Sequence, residues 1–166
     1  MTTKPLNIDL SRGNLTTYGK RGMAVMMYQR GRSFLAASAL LSRARGDAYV
    51  VMHLLCQGLE IVLKAILLLV DYDLYRPQLK RLGHDIYELA RAVTQATKRK
   101  PLRKALLTEL KVLGDIYKAH HLRYAGMFEL LVRAETVPSR RVSLASLGLV
   151  GFLERGRVFA MPSGAP

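Results

Sequence analysis

Residues 47–70 read DAYVVMHLLCQGLEIVLKAILLLV, and this stretch decides the fold. Its run of Val, Leu, Ile, Ala and Met predicts a helix that is apolar almost all round, as in the central helix of a bundle. Four polar residues interrupt it at spacings of four, three and four, which places them on one face: His53, Gln57, Glu60 and Lys64. Unpaired buried polar groups cost about 1–3 kcal/mol each, so this polar stripe must meet water or partners.

The same stretch is also long enough to span a membrane. However, Glu60 and Lys64 fall near its middle, where charges are costly in lipid, and they can pair at i, i+4. Near the N-terminus, residues 6–15 are interrupted by polar side chains and do not form the apolar core of a secretory signal. We therefore predict a cytoplasmic protein that does not contact a membrane.

Composition and charge limit the class of protein further. The chain has 166 residues, half of them hydrophobic, which suits one compact domain. Its single cysteine, Cys56, excludes an internal disulfide and a Cys-based zinc site, and we expect neither a metal nor a cofactor. The formal net charge is +14, and residues 75–125 alone carry 12 basic and 4 acidic side chains. Such a field attracts RNA or another acidic partner without reading sequence; the alternative is a basic, solvated surface with no such ligand.

Apolar periodicity, caps and chain breakers divide the rest of the sequence. Five helices are predicted, over residues 18–45, 47–70, 85–98, 102–124 and 139–155. Residues 71–82, which contain Pro77, are predicted to be a connector, and residues 127–132 are ambiguous between strand and helix. The prediction is an all-α, four- to five-helix up-and-down bundle over residues 19–157. An irregular segment, 1–18, precedes it and a disordered tail, 158–166, follows it.

Two linked motifs resemble the HEPN superfamily. The first is Gln57-x-x-Glu60-x-x-Leu63-Lys64-Ala65, and the second is Gly83-His84-Asp85-Ile86 at the start of the next predicted helix. Arg123-Tyr124 stands where that family often closes its last long helix, so the resemblance covers residues 32–125. It implies a HEPN-like helical bundle, frequent dimerisation and a role around RNA or nucleotides. Many members of the family are bacterial toxins or defence factors.

The chain departs from the catalytic pattern of that family. Several members are RNases with an Arg-x4–6-His motif at a dimer interface, but here no arginine stands five to seven residues before any of the four histidines. The departure favours a non-catalytic binding or regulatory module for RNA or an acidic partner, as a homodimer, with a cognate protein partner in a toxin–antitoxin or phage-defence setting. Two alternatives stay open: a metal-independent toxin-like RNase with a non-standard Arg/His site, and a structural subunit of a nucleoprotein assembly.

Three groups of residues are candidate sites. The polar stripe is extended by further residues that could complete a ligand site or a dimer interface: His84, Asp85, Tyr117 and Tyr124. The alternative is that the stripe is a structural network that orients the next helix, and that Asp85 caps this helix. If the protein is an RNase, the residues for proton transfer and phosphate neutralisation are His120, His121 and Arg123; otherwise they end a helix with cations that suit its dipole. The third group is a basic cluster, interpreted either as a site that contacts phosphates or as a solvated loop. It consists of Lys98, Arg99, Lys100, Arg103 and Lys104.

Overall fold

The computed structural model describes residues 15–122 and 126–156. In this part of the chain the structure is all-helical and has no strand, as the sequence predicts. The elements are α1 (Thr17–Arg43), α2 (Ala48–Val70), α3 (Tyr72–Leu82), α4 (Ile86–Ala96), α5 (Lys104–Lys118), α6 (Met127–Leu131), a 3-10 turn (Ala134–Thr136) and α7 (Arg140–Arg155). These ranges hold seven helices rather than four or five. The predicted tail, 158–166, and most of the predicted irregular segment, 1–18, lie outside the described residues.

The core is built on α1 and α2, which a short turn joins and which pack closely against each other. Asp47 caps α2 by accepting a hydrogen bond from the Val50 amide at 2.9 Å. Gly31 and Gly58 lie where the two helices touch: a Cβ on Gly58 would stand 2.9 Å from the backbone nitrogen of Leu35. A Cβ on Gly31 would likewise stand 2.9 Å from the backbone nitrogen of Val62, so both glycines are needed for the backbones to meet, although glycine weakens a helix by itself.

Most of α2 lies inside the protein. It is the one helix in the described ranges that is long and apolar enough to cross a membrane. Sixty-one per cent of its most apolar window is nevertheless buried against the other helices. Leu67, Val62 and Cys56 are fully buried there. This burial is what the core helix of a bundle requires.

Helix α3 corrects the prediction of a connector over residues 71–82. Asp71 caps the helix by accepting from the Leu74 amide at 2.9 Å, and Lys20 of α1 pairs with Asp73 in its first turn at 2.5 Å. Pro77 lies inside the helix, where it removes one backbone donor but fixes φ at a helical value. The ion pair is exposed and contributes little. The cap and the packing of Tyr72, Tyr75, Leu79 and Leu82 against the core outweigh the chain-breaking tendency of a single proline.

Helix α4 begins as predicted, while α5 is shorter than predicted at both ends. Asp85 caps α4 by accepting from the Glu88 amide at 3.0 Å. Helix α5 ends at Lys118, and His120 adopts φ +61°, in the left-handed region. The amide of His121 donates to the carbonyl of Ile116 at 3.2 Å, which closes the helix end in the manner of a Schellman motif. The prediction of one helix through residue 124 is therefore wrong, and His120 does not continue the face of Tyr117.

The last helix, α7, is tied to the rest at both ends. Near its start, the buried carboxylate of Glu109 on α5 accepts from the backbone amides of Arg141 at 2.8 Å and Val142 at 3.2 Å. Near its end, Glu154 accepts from the Tyr28 hydroxyl of α1 at 2.6 Å. The Glu109 contact satisfies amides at the helix N-terminus that have no partner within the helix.

Candidate functional site

The polar stripe of α2 forms a network centred on one buried carboxylate. Glu60 is 4% exposed. Its Oε1 accepts from Lys64 Nζ at 2.6 Å, and its Oε2 accepts from the Tyr117 hydroxyl at 2.7 Å. The Nδ1 of His84, at the loop before α4, lies 3.0 Å from the same Oε2. The network therefore joins α2, α5 and the start of α4.

Two forces of opposite sign act on the pKa of Glu60. Burial alone raises it, because a carboxylate is poorly solvated in the interior. The hydrogen bonds from Lys64, His84 and Tyr117 together outweigh burial and hold the pKa below its ordinary value of 4.5. Glu60 is thus a carboxylate held in the charged form by its donors, which suits an electrostatic anchor.

Gln57 and His53 complete the stripe around Tyr117. The Gln57 side-chain amide lies 2.7 Å from the Tyr117 hydroxyl. The hydroxyl has one proton, which Glu60 accepts, so the Gln57 amide is satisfied best when turned to donate its own N–H. The His53 ring packs beside Tyr117, with 5.8 Å between centroids. The other predicted member, Tyr124, lies outside the described residues.

The histidines fall into two groups that differ from the predicted catalytic set. The rings of His84 and His120 stand edge to face, 6.1 Å apart. His121 instead stacks on Phe128 of α6, with 4.8 Å between centroids and an angle of 6°. Arg123 lies outside the described residues. The rings of His120 and His121 therefore do not contact the same residues; His120 contacts His84, which the sequence analysis assigned to a different group.

A basic groove of about 1060 Å³ opens beside this network. It runs between α3, α4, the loop 97–103 and the end of α5. Five of its lining side chains are cationic: Arg81, Arg91, Lys98, Arg99 and Lys118. Two are carboxylates, Asp85 and Glu88, and His84 stands at the same wall. The groove therefore carries more positive than negative charge. Among the described residues, the aromatic side chains that line it are Tyr75 and His84.

The two carboxylates of the groove are already paired. Asp85 lies 3.3 Å from Lys118, and Glu88 lies 3.1 Å from Arg91. Among the residues that the structure describes, Arg81, Lys98 and Arg99 have no carboxylate within 4.0 Å, and the Arg99 guanidinium lies over the Phe152 ring. An anionic ligand can neutralise these three cations without competing with the protein's own acids.

The predicted basic cluster is divided by the fold. Lys98 and Arg99 line the groove, whereas Lys100, Arg103 and Lys104 are exposed outside it. Arg81 was not grouped with them, because residues 71–82 were predicted to be a connector and not a helix that lines a groove. Lys118 was not predicted to belong to the site, because helical spacing along α5 does not reveal that this side chain faces the loop before α4.

No site for a metal or a reactive thiol stands out in the same ranges. The described part of the chain contains no group of three His, Cys, Asp or Glu side chains placed to hold a metal ion. Burial raises the pKa of the Cys56 thiol to about 12, with a smaller contribution from the nearby Glu60 charge. Cys56 is fully buried and packs as a small hydrophobic residue.

The site consists, then, of a buried ionic anchor with a basic groove on its exposed side. His84 belongs to both, because it contacts Glu60 and lines the groove. Comparison of the chain with protein-family models, with curated proteins and with solved structures finds no match.

Proposed function

We propose that this protein is a non-catalytic HEPN-like module that binds single-stranded RNA in the basic groove. The observation that carries the proposal is the imbalance of charge there: five cations face two carboxylates, and both carboxylates are occupied. RNA binding of this kind comes from phosphate neutralisation and counterion release. With few aromatic side chains to stack bases, the groove suits backbone contacts that tolerate many sequences.

The contact between the two HEPN-like motifs supports this proposal. Glu60 lies in the Gln-x-x-Glu-x-x-Leu-Lys-Ala motif and His84 in the Gly-His-Asp-Ile motif, and the two side chains lie 3.0 Å apart. The motifs thus meet to fix the loop that leads into α4. A groove whose wall is fixed in this way loses less entropy on binding than a mobile one.

We extend the proposal to a homodimer in the cytoplasm. Several large apolar side chains of α6 and α7 are exposed: Met127, Leu130, Leu131, Leu144 and Leu147. Apolar surface of this kind is typical of an interface. The resemblance to HEPN proteins suggests a toxin–antitoxin or defence setting, in which a cognate protein partner would be a second acidic ligand for the groove.

The salt dependence of RNA binding tests the proposal. For single strands, the logarithm of affinity falls with the logarithm of salt concentration with a slope of about −0.7 per phosphate contact. The double variant Arg81→Gln/Lys98→Gln should weaken binding and make that slope less steep by about 1.4. Fluorescence anisotropy with a labelled, unstructured RNA measures the affinity and its salt slope. Salt concentrations between about 50 and 200 mM suit the measurement, because the expected effect is large there.

A matched control separates the groove from net charge. Arg43→Gln/Arg45→Gln removes the same charge from the end of α1 and the turn after it, which do not line the groove. We expect a smaller loss of affinity and no matching change in slope. If the two double variants lost affinity equally, the RNA would bind outside the groove. If the unaltered protein did not bind RNA at all, a structural subunit of a nucleoprotein assembly would be favoured.

A second candidate function, a metal-independent RNase, is favoured by the His84–His120 pair. The rings are in edge-to-face contact, with 6.1 Å between centroids, so a phosphodiester placed across their exposed edges, not between them, would be within reach of both. One imidazole would take the proton of the 2′-hydroxyl as its oxygen attacks phosphorus, and the other, protonated, would give a proton to the departing 5′-oxygen. Lys118, which lines the adjoining groove, would offset the charge on phosphate.

Single histidine variants distinguish the two functions. If the pair is catalytic, His120→Ala abolishes metal-free cleavage of RNA while His121→Ala, whose ring stacks on Phe128, retains most of it. Both substitutions affect half-exposed or exposed positions outside the Glu60 network, so folding should be retained. Intact RNA with the unaltered protein, together with a salt-sensitive complex, supports the binding module.

A further inference from the structure

A second cavity, of about 380 Å³, lies between α2, α4, α5 and α7 and adjoins the basic groove. The two share three lining residues: Thr94, Arg99 and Leu102. The floor is formed by buried side chains of four helices, among them Leu59, Ala90, Leu110 and Val142. A mainly apolar pocket of this volume that opens to solvent is typical of a small-molecule site.

The hydroxyl groups in its wall are already committed to the helices. Thr94 donates to the Ala90 carbonyl at 2.8 Å, and Thr97 donates to the Val93 carbonyl at 2.7 Å. Ser146, which is 2% exposed, donates to the Val142 carbonyl at 2.6 Å. A buried water needs two to four polar partners, and this wall offers few. The cavity therefore favours an apolar occupant over a cluster of waters.

The rim of the cavity is cationic. Arg99 and Lys100 are exposed lining residues, and none of the residues that line this cavity is acidic. The Arg99 guanidinium lies over the ring of Phe152, 4.8 Å from its centroid, so it is held at the mouth by a cation–π contact. An apolar interior with two cations at its mouth is complementary to a molecule with an apolar body and an anionic end.

Helix α7, the outer wall, is fixed in place. Glu109 holds its first turn through the amides of Arg141 and Val142 and through the Arg141 guanidinium at 2.7 Å. Glu154 holds its last turn through Tyr28 at 2.6 Å and Arg32 at 2.9 Å. A wall anchored at both ends keeps the space open, as in ligand pockets that are largely formed before binding.

We propose that this cavity binds a small amphipathic carboxylate, with a single unbranched chain inside and the carboxylate on Arg99 and Lys100. At about 30 Å³ for each water-sized unit, the volume accommodates roughly a dozen non-hydrogen atoms, which corresponds to a medium-length fatty acid. The proposal rests on the cavity and its rim and does not depend on RNA binding.

Isothermal titration calorimetry of the full chain with three probes tests the proposal: octanoate, 1-octanol and butanoate. Octanoate should saturate at one molecule per chain. We expect 1-octanol, which has the chain without the charge, to bind about tenfold more weakly, since a rim contact contributes about one charge-assisted hydrogen bond. Butanoate, which has the charge and a short chain, should show no saturable binding. No saturable binding of octanoate would overturn the proposal.

Two variants locate the bound molecule, with a matched control. Arg99→Gln/Lys100→Gln should remove the preference for octanoate over 1-octanol, whereas Arg103→Gln/Lys104→Gln, next along the chain but outside the lining, should keep it. Ala145→Trp, at an exposed lining position, should fill the mouth and abolish binding of both probes without disturbing the buried floor. Octanoate binding that survives Ala145→Trp would contradict the proposal. So would a dimer, seen by light scattering, that Ala145→Trp dissociates and Leu144→Ser/Leu147→Ser, at exposed positions of the same helix, does not, because a second copy would then cover the cavity.

Discussion

The Glu60 network and the basic groove share His84 but differ in how they handle charge. In the network, one buried carboxylate is paired with the Lys64 ammonium and accepts a hydrogen bond from the Tyr117 hydroxyl. In the groove, cations outnumber carboxylates and stay in contact with solvent. The difference shows that this chain neutralises the charge it buries and leaves its surplus where a ligand can reach it. Substitutions in the two regions should therefore have different consequences, for stability in one and for binding in the other.

Removing the central carboxylate should have the largest effect on stability. We expect Glu60→Ala to lower the free energy of unfolding by about 3–5 kcal/mol, because it leaves the mostly buried Lys64 ammonium without its counter-ion. Urea unfolding followed by circular dichroism measures the change. The control is Glu88→Ala, which breaks an exposed pair with Arg91 and should change stability by about 0.5 kcal/mol or less. Equal losses in the two variants would mean that the network does not stabilise the fold.

Acid should weaken the same network by protonating Glu60. Its pKa is lower in the folded protein than the ordinary 4.5, so its ionised form stabilises the fold above about pH 4.5. That contribution is lost as the pH falls through the folded-state pKa. The loss should be smaller than in Glu60→Ala, since a protonated carboxyl still fills the space and can donate. Thermal melts between pH 7 and pH 3 should show a shallower acid dependence for Glu60→Gln than for the unaltered protein.

Removing one neutral donor should have an intermediate effect. Tyr117→Phe deletes a hydroxyl that lies 2.7 Å from both Glu60 and Gln57, and we expect a loss of about 1–2 kcal/mol. Tyr87→Phe, at a half-buried position of α4, serves as the matched control with a change of about 0.5 kcal/mol or less. A loss for Tyr117→Phe no greater than that of its control would show that Lys64 and His84 satisfy Glu60 without it.

The smallest effect on stability should come from the groove. Arg81→Gln/Lys98→Gln should change the free energy of unfolding by about 0.5 kcal/mol or less, because neither cation has a carboxylate partner to lose in the described chain. The same variant should weaken RNA binding, as proposed above. Urea unfolding and anisotropy on one preparation would give both values. Marked destabilisation would contradict the division between an anchoring region and a binding region.

The sequence predicted those parts of the fold that depend on neighbouring residues along the chain. The apolar run of α2, its polar stripe and the Asp85 cap all follow from helical spacing and local hydrogen bonding. Helix α3 could not be predicted in this way, because its stabilising contacts are tertiary: its apolar side chains pack against the core, and Asp73 pairs with Lys20, 53 positions earlier. The end of α5 was not predicted for another reason. It depends on a left-handed conformation that glycine usually adopts, and here His120 adopts it.

The candidate site shows the same limit. The spacing on α2 placed Gln57, Glu60 and Lys64 together. The sequence analysis grouped His84 and Tyr117 with them, and in the structure both contact Glu60. The neighbours of His120 could not be derived from its sequence position, because the helix ends two residues earlier. The groove depends on how α3 and α4 each pack on α2, which no periodicity within a single helix encodes.

The attachment of α7 has a consequence for synthesis on the ribosome. The hydrogen bond between Tyr28 and Glu154 joins residues 126 positions apart, so this bond cannot form until nearly the whole chain has been translated. Until then the leucines beneath α7 are exposed on the nascent chain. Long-range contacts of this kind form late, and exposed apolar surface invites aggregation or capture by chaperones. The final helix therefore acts as the closing step of folding, and a nascent chain arrested before residue 140 should be the form that chaperones hold longest.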